Sequence, residues 1–126
     1  MKVLVLDTET TGLDETQDKL IEVAGCVYDT ETETIIESYQ SLLRSETNEA
    51  YEINKIPVEA LKKVSPAQTD DAKMTIEAMA SVCDYVMAHN APFDRKFLEA
   101  NGYEIKVPWV CSKADLEYPG EHSSRR

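Results

Sequence analysis

The sequence predicts an α/β fold: one mixed sheet of three antiparallel strands followed by parallel strands, with helices packed on the sheet. Residues 1–43 hold three β-prone runs joined by short polar connections, the pattern of an antiparallel meander. Residues 71–84 carry an apolar repeat of helical period. Beyond them, two short apolar runs alternate with another helical segment, which is how parallel strands are connected.

Val3-Leu4-Val5-Leu6 opens the chain as a strand, and is too short for a signal peptide. Leu20 to Tyr28 reads as a second strand, mostly apolar on both faces. Asp29 to Glu33 is a polar hairpin connection. Thr34 to Leu43 is a third, more polar strand whose alternation suggests an edge or one wet face. Ser45 to Tyr51 reads as a loop. Pro57 opens a short helix through Lys63, which Ser65-Pro66 closes. Asp71 to Asp84 is the clearest helix, with Ile76, Met79, Ala80 and Cys83 on one packing stripe. Tyr85 to His89 follows as a buried strand. Asn90 then caps a helix that Asn101-Gly102 ends. Trp109-Val110-Cys111 is the last strand, and Glu117 to Arg126 is polar with no assigned element.

Composition narrows the function classes. A chain of 126 residues with 42% hydrophobic content is long and apolar enough to form one cored domain. It has no apolar run of bilayer-spanning length, so no membrane partner is expected. Cys26, Cys83 and Cys111 are widely spaced and read as reduced thiols of a cytoplasmic protein. A net charge of −11 disfavours a broad basic surface for long nucleic acid. It leaves room for a site where bound cations supply positive charge locally.

Two stretches carry candidate chemistry. In Asp7-Thr8-Glu9-Thr10-Thr11-Gly12, strand geometry points Asp7 and Glu9 to one face and Thr8 to the other. Adjacent carboxylates repel, and a hard divalent cation such as Mg²⁺ resolves that repulsion. The plainer reading is an acidic strand end entering a Thr11-Gly12 turn. In His89-Asn90-Ala91-Pro92-Phe93-Asp94, a third acid lies one turn into a helix that leaves a buried strand. Its plain role is to complement the helix dipole. His89 reads as a buried histidine bonded to backbone, and Arg95 and Lys96 read as solvated face able to touch a phosphate.

Together, the strand ending in Asp-Thr-Glu-Thr-Thr-Gly and the downstream His-Asn-Ala-Pro-Phe-Asp-Arg-Lys-Phe-Leu resemble the DEDDh 3′–5′ exonucleases, over residues 1 to about 113. The resemblance implies a ribonuclease H-like fold. It also implies hydrolysis of phosphodiester bonds at nucleic-acid 3′ ends, with Asp7, Glu9 and Asp94 holding two Mg²⁺ or Mn²⁺ ions. Thr10, Thr11 and Gly12 then lie against the terminal nucleotide, and Asn90 and Phe93 shape the site, Phe93 by packing. The implied partner is the 3′ end of single-stranded nucleic acid or a short oligonucleotide.

The family's third motif, a histidine followed one turn later by an aspartate on a C-terminal helix, has no counterpart here. Asp115 and His122 occur in the reverse order, and Ser123 to Arg126 resembles the start of the preceding helix. A C-terminally truncated domain is therefore expected, hydrolysing slowly or not at all. It is expected to self-associate or to take a partner over the uncovered sheet. Two other classes stay open: a non-catalytic metal- or nucleotide-binding remnant acting through a partner, and an aspartyl phosphohydrolase. The second leaves residues 89–94 unexplained.

Overall fold

The computed structural model describes residues 1–114; Asp115, His122 and the Ser123–Arg126 stretch lie outside the described residues. The elements run β1 (Lys2–Thr10), β2 (Leu20–Asp29), β3 (Thr34–Leu42), α1 (Tyr51–Asn54), α2 (Val58–Lys62), α3 (Pro66–Ser81), β4 (Tyr85–Ala88), α4 (Ala91–Ala100) and β5 (Trp109–Cys111). One sheet orders the strands β3-β2-β1-β4-β5. The first three pair antiparallel, and β4 and β5 join β1 in parallel. The expected mixed α/β sheet is therefore present, with β1 at its centre.

Period-2 patterning sets the faces. Leu4 and Leu6 of β1 are buried with Val23 and Val27 of β2, against Ile76 and Met79 of α3 and Phe97 and Leu98 of α4. Both helices pack on this face. The other face is half-open among the described residues: Val5, in the central strand, is 40% exposed. The apolar residues of β2 that face that way, Ala24, Cys26 and Tyr28, are only half-buried. Among the described residues, the second strand's apolar character on both sides thus has a helical cover on one side only.

Three boundaries differ from the sequence reading. Ser65-Pro66 opens α3 instead of closing α2. The Ser65 hydroxyl accepts from the Gln68 N–H at 3.0 Å, and Pro66 occupies the first turn, where its missing N–H costs nothing. The helix stops at Ser81, because Asp84 already belongs to the next crossing: its N–H donates to Lys2 O, and its carboxylate accepts from Lys2 N. Tyr51, read as the end of a loop, instead opens the one-turn helix α1 over residues 51–54, ended by Lys55 at φ 60°. Cys83 and Cys111 are buried and Cys26 is half-buried. No described helix is long and apolar enough to cross a membrane.

Candidate active site

β1 carries its acids to the end of the sheet. Asp7 is exposed and Glu9 half-buried on the open face, while Thr8 between them turns into the core side. Directly after Glu9 the β1/β2 register slips. The slip ends regular pairing beside the acids, a place where bulges commonly re-aim side chains. Glu9 stands opposite Glu22 of β2. Burial raises the Glu9 pKa above the ordinary carboxylate value, and the charges of Asp7, Glu22 and Asp94 add to the rise.

Asp94 reaches the same strand end from the other side. α4 leaves β4 through Asn90, whose carbonyl accepts the N–H groups of Phe93 and Asp94. Asn90 sits at the N-cap position, but its side chain makes no cap bond, so backbone geometry starts the helix. Phe97 and Leu98 anchor α4 in the core, and Phe93 packs on Phe97 with ring centroids 5.0 Å apart. That packing leaves Asp94 6% exposed, with Oδ1 accepting from the Thr8 hydroxyl at 2.6 Å. Burial raises the Asp94 pKa, the Thr8 hydrogen bond opposes that rise, and the charge of Asp7 adds to it.

Thr8 is a site residue that the sequence reading passed over, although it placed the side chain on the opposite face from the acids. Replacing Thr8 by Val removes the donor to a buried carboxylate, which is expected to cost about 1.5–3 kcal/mol. Chemical denaturation at neutral pH measures this, and Thr8→Ser restores most of the loss. A Thr8→Val chain as stable as wild type would remove the bond from the account.

The turn after β1 is fixed by side chains. The Thr10 hydroxyl donates to Gly12 O at 2.6 Å, and the Thr11 hydroxyl accepts from Lys19 N at 2.9 Å. The Asp18 carboxylate accepts from the Thr11 hydroxyl and from Asp14 N. A Cβ on Gly12 would run into that carboxylate, so a larger residue there would have to displace Asp18 from the turn. The Asn54 side-chain amide of α1 donates to Thr10 O at 3.1 Å, and the Asn48 side-chain amide donates to Asn54 Oδ1 at 2.9 Å. This pair of asparagines ties the loop after β3 to the turn. No local sequence pattern signals it, because the partners lie 44 residues apart.

His89 departs from its expected role. It is exposed, and its Nδ1 shares a hydrogen bond with the Ser112 hydroxyl at 3.1 Å instead of being buried against backbone. A strand end facing solvent exposes the ring. Arg95 and Lys96 are exposed as expected, yet both are engaged: Arg95 with Glu99, Lys96 with Glu15 and over the Phe93 ring.

Among the described residues no three His, Cys, Asp or Glu side chains converge closely enough to hold a metal ion. Asp7 and Glu9 share a face, and Asp94 approaches from across β1. A cavity of about 590 Å³ is lined by Lys19, Arg44, Lys73 and Tyr103 among others and by none of these acids. A cavity of about 380 Å³ on the open face does include Asp7.

A five-stranded mixed sheet in this order, with helices packed on it, matches the ribonuclease H-like fold. The exonuclease family model RNase T matches residues 4–121, and the chain belongs to that family. No curated protein matches the chain. Three of the many solved structures that share the fold illustrate the likeness. E. coli Exonuclease I in complex with a dT13 oligonucleotide has TM-score 0.68 and 16% identity, over 89% of this chain and 28% of that one. The zinc-bound form of the E. coli Exonuclease I–single-stranded DNA complex has TM-score 0.73 and 14% identity, over 99% and 33%. The nuclease domain of 3′hExo, a DEDDh family member bound to rAMP, has TM-score 0.60 and 16% identity, over 79% and 56%. The chain spans a third or less of the length of these Exonuclease I chains.

Proposed function

We propose that this exonuclease-family domain takes the 3′ end of single-stranded nucleic acid and hydrolyses it in the 3′–5′ direction with divalent metal. The observation that supports this most is that Asp7, Glu9 and Asp94 lie around one end of β1, near enough for the charge of Asp7 to act on each of the other two. All-carboxylate oxygen donors suit hard cations, and their mutual repulsion is what a cation relieves. Asp7 and Glu9 would hold Mg²⁺ or Mn²⁺ on the open face, with Asp94 completing the set. The chemistry that two such ions supply is activation of a water and stabilisation of charge on the leaving oxygen.

The remaining roles belong to the protein. Thr8 fixes Asp94 through a hydrogen bond to one carboxylate oxygen. Asn54 and Asp18 hold the Thr10–Gly12 turn in shape for a terminal nucleotide. Leu13 and Ile53 are 78% and 84% exposed on the two segments that Asn54 joins. Exposed apolar side chains so placed can lie against a base without reading its identity.

The test is thermal. Mn²⁺ with a nucleoside 5′-monophosphate is expected to raise the melting temperature more than either alone, as ligands that bind only the folded state do. No added rise from the nucleotide would remove the 3′-end site. Binding should also be confined to an end. With a net charge of −11, few phosphates are contacted, so log affinity should fall shallowly with log salt, at about 0.7 per phosphate. A steep slope, or affinity that keeps climbing with oligonucleotide length, contradicts this.

The second reading, a metal- and nucleotide-binding remnant acting through a partner, is favoured by the absence of a converged three-ligand group among the described residues. It shares the thermal response and lacks the hydrolysis.

A further inference from the structure

The outer edge of the sheet is open in a way that the nuclease reading does not use. β3 is an edge strand, paired on one side with β2. Its other side presents unpaired backbone donors and acceptors from Thr34 to Gln40, with no other described element bonded to them. Natural edges are commonly guarded by charges, proline or bulges; this strand holds no lysine or proline, and its one charge is Glu37. Its one irregularity is a register slip at Val27/Tyr28 near the hairpin.

Beside this edge runs a groove of about 360 Å³ between β3 and α3, lined by Glu37, Asp71, Met74, Ala78 and Val82 among others. Met74 on α3 and Val82 just past its end are 64% and 58% exposed beside this groove. No basic residue lines the groove. Glu37 and Asp71 make no hydrogen bond or ion pair among the described residues.

We propose that the β3 edge and this groove dock an extended, basic segment of a partner protein, which adds a sixth strand to the sheet. An added strand gains main-chain hydrogen bonds along Thr34–Gln40 and directs alternate side chains to the α3 side. Lysine or arginine at those positions satisfies both features of the groove. The apolar stem covers Met74 and Val82, and the charged head meets Glu37 and Asp71. The intervening residues lie on the open face beside Ile35, which is 60% exposed, and β-branched side chains suit that place. Charge selects this occupant over a second copy of the chain, since two copies would bring like charges together at Glu37 and Asp71.

The test uses the full 126-residue chain and two capped peptides of one composition: Val and Lys in strict alternation over seven residues, and the same residues in two blocks. The alternating peptide is expected to bind by calorimetry and to slow amide exchange within Thr34–Gln40. Glu37→Gln with Asp71→Asn, both at exposed positions, should weaken it roughly three- to tenfold, the worth of two exposed ion pairs. Equal binding of the block peptide, or binding without protection of β3, reduces the effect to bulk charge attraction and overturns the proposal. So does an affinity unchanged in the double variant. A peptide-free chain that sediments as a dimer with β3 amides already protected assigns the edge to a second copy, and also overturns it.

Discussion

Asp7→Asn is expected to abolish the stabilisation that Mn²⁺ gives the wild-type chain, and to raise the melting temperature of the metal-free protein. Both effects have one cause. Asp7 is the charge common to the raised pKa values of Glu9 and Asp94. Without metal its removal relieves repulsion; with metal it removes a ligand. At a Mn²⁺ concentration 100 times the dissociation constant, the wild-type gain is about 2.7 kcal/mol, and the variant should show almost none of it.

The pH dependence follows with a definite sign. Glu9 and Asp94 titrate higher folded than unfolded, so the folded chain holds more protons across the window between those values. Their contribution to metal-free stability is therefore most favourable below the ordinary carboxylate range, and declines as pH rises through the raised values. Asp7→Asn should flatten that decline. Melting curves with Mn²⁺ and with chelator, taken across acidic to neutral pH, read all three effects. A Mn²⁺ response undiminished in the variant contradicts the assignment.

Phe97→Ala should produce the largest loss of stability. Phe97 is fully buried in the core shared by the sheet and both long helices, and it carries the ring on which Phe93 rests. Truncating a buried phenylalanine costs about 3–5 kcal/mol, a large part of the 5–15 kcal/mol that holds a typical domain together. α4 would lose the anchor that presents Asp94 to Thr8, so metal affinity should fall with stability. A urea midpoint that drops with its slope unchanged measures the first effect. A loss below about 1 kcal/mol, outside the range for such a truncation, would mean that α4 is held elsewhere.

The strands and the long helices were legible because their signals are local. Alternation in residues 3–9 put Asp7 and Glu9 on one face, and the stripe at Ile76, Met79 and Ala80 named α3's buried side. Ser65-Pro66 was misread because the same pair ends one helix or begins another, and only the Gln68 bond decides. Residues 51–54 lack any apolar period, and α1 is fixed from outside by Asn54's bond to Thr10. His89 was expected buried because its strand is. Its position one residue past the strand's end exposes it. The partnership of Thr8 with Asp94 spans 86 residues, and Glu22 faces Glu9 only through strand register. Both are products of topology, which residue spacing does not encode.

The measurement closest to the central claim is the digestion of a 5′-labelled single-stranded oligonucleotide by the purified chain in Mn²⁺. The account predicts a slow ladder of products shortened from the 3′ end, absent with chelator and lost in Asp7→Asn. No shortening at all, with Mn²⁺ and nucleotide still bound, would assign the chain to the binding-only alternative. Early release of the label as a mononucleotide, or a ladder unaffected by chelator and by Asp7→Asn, would contradict the account.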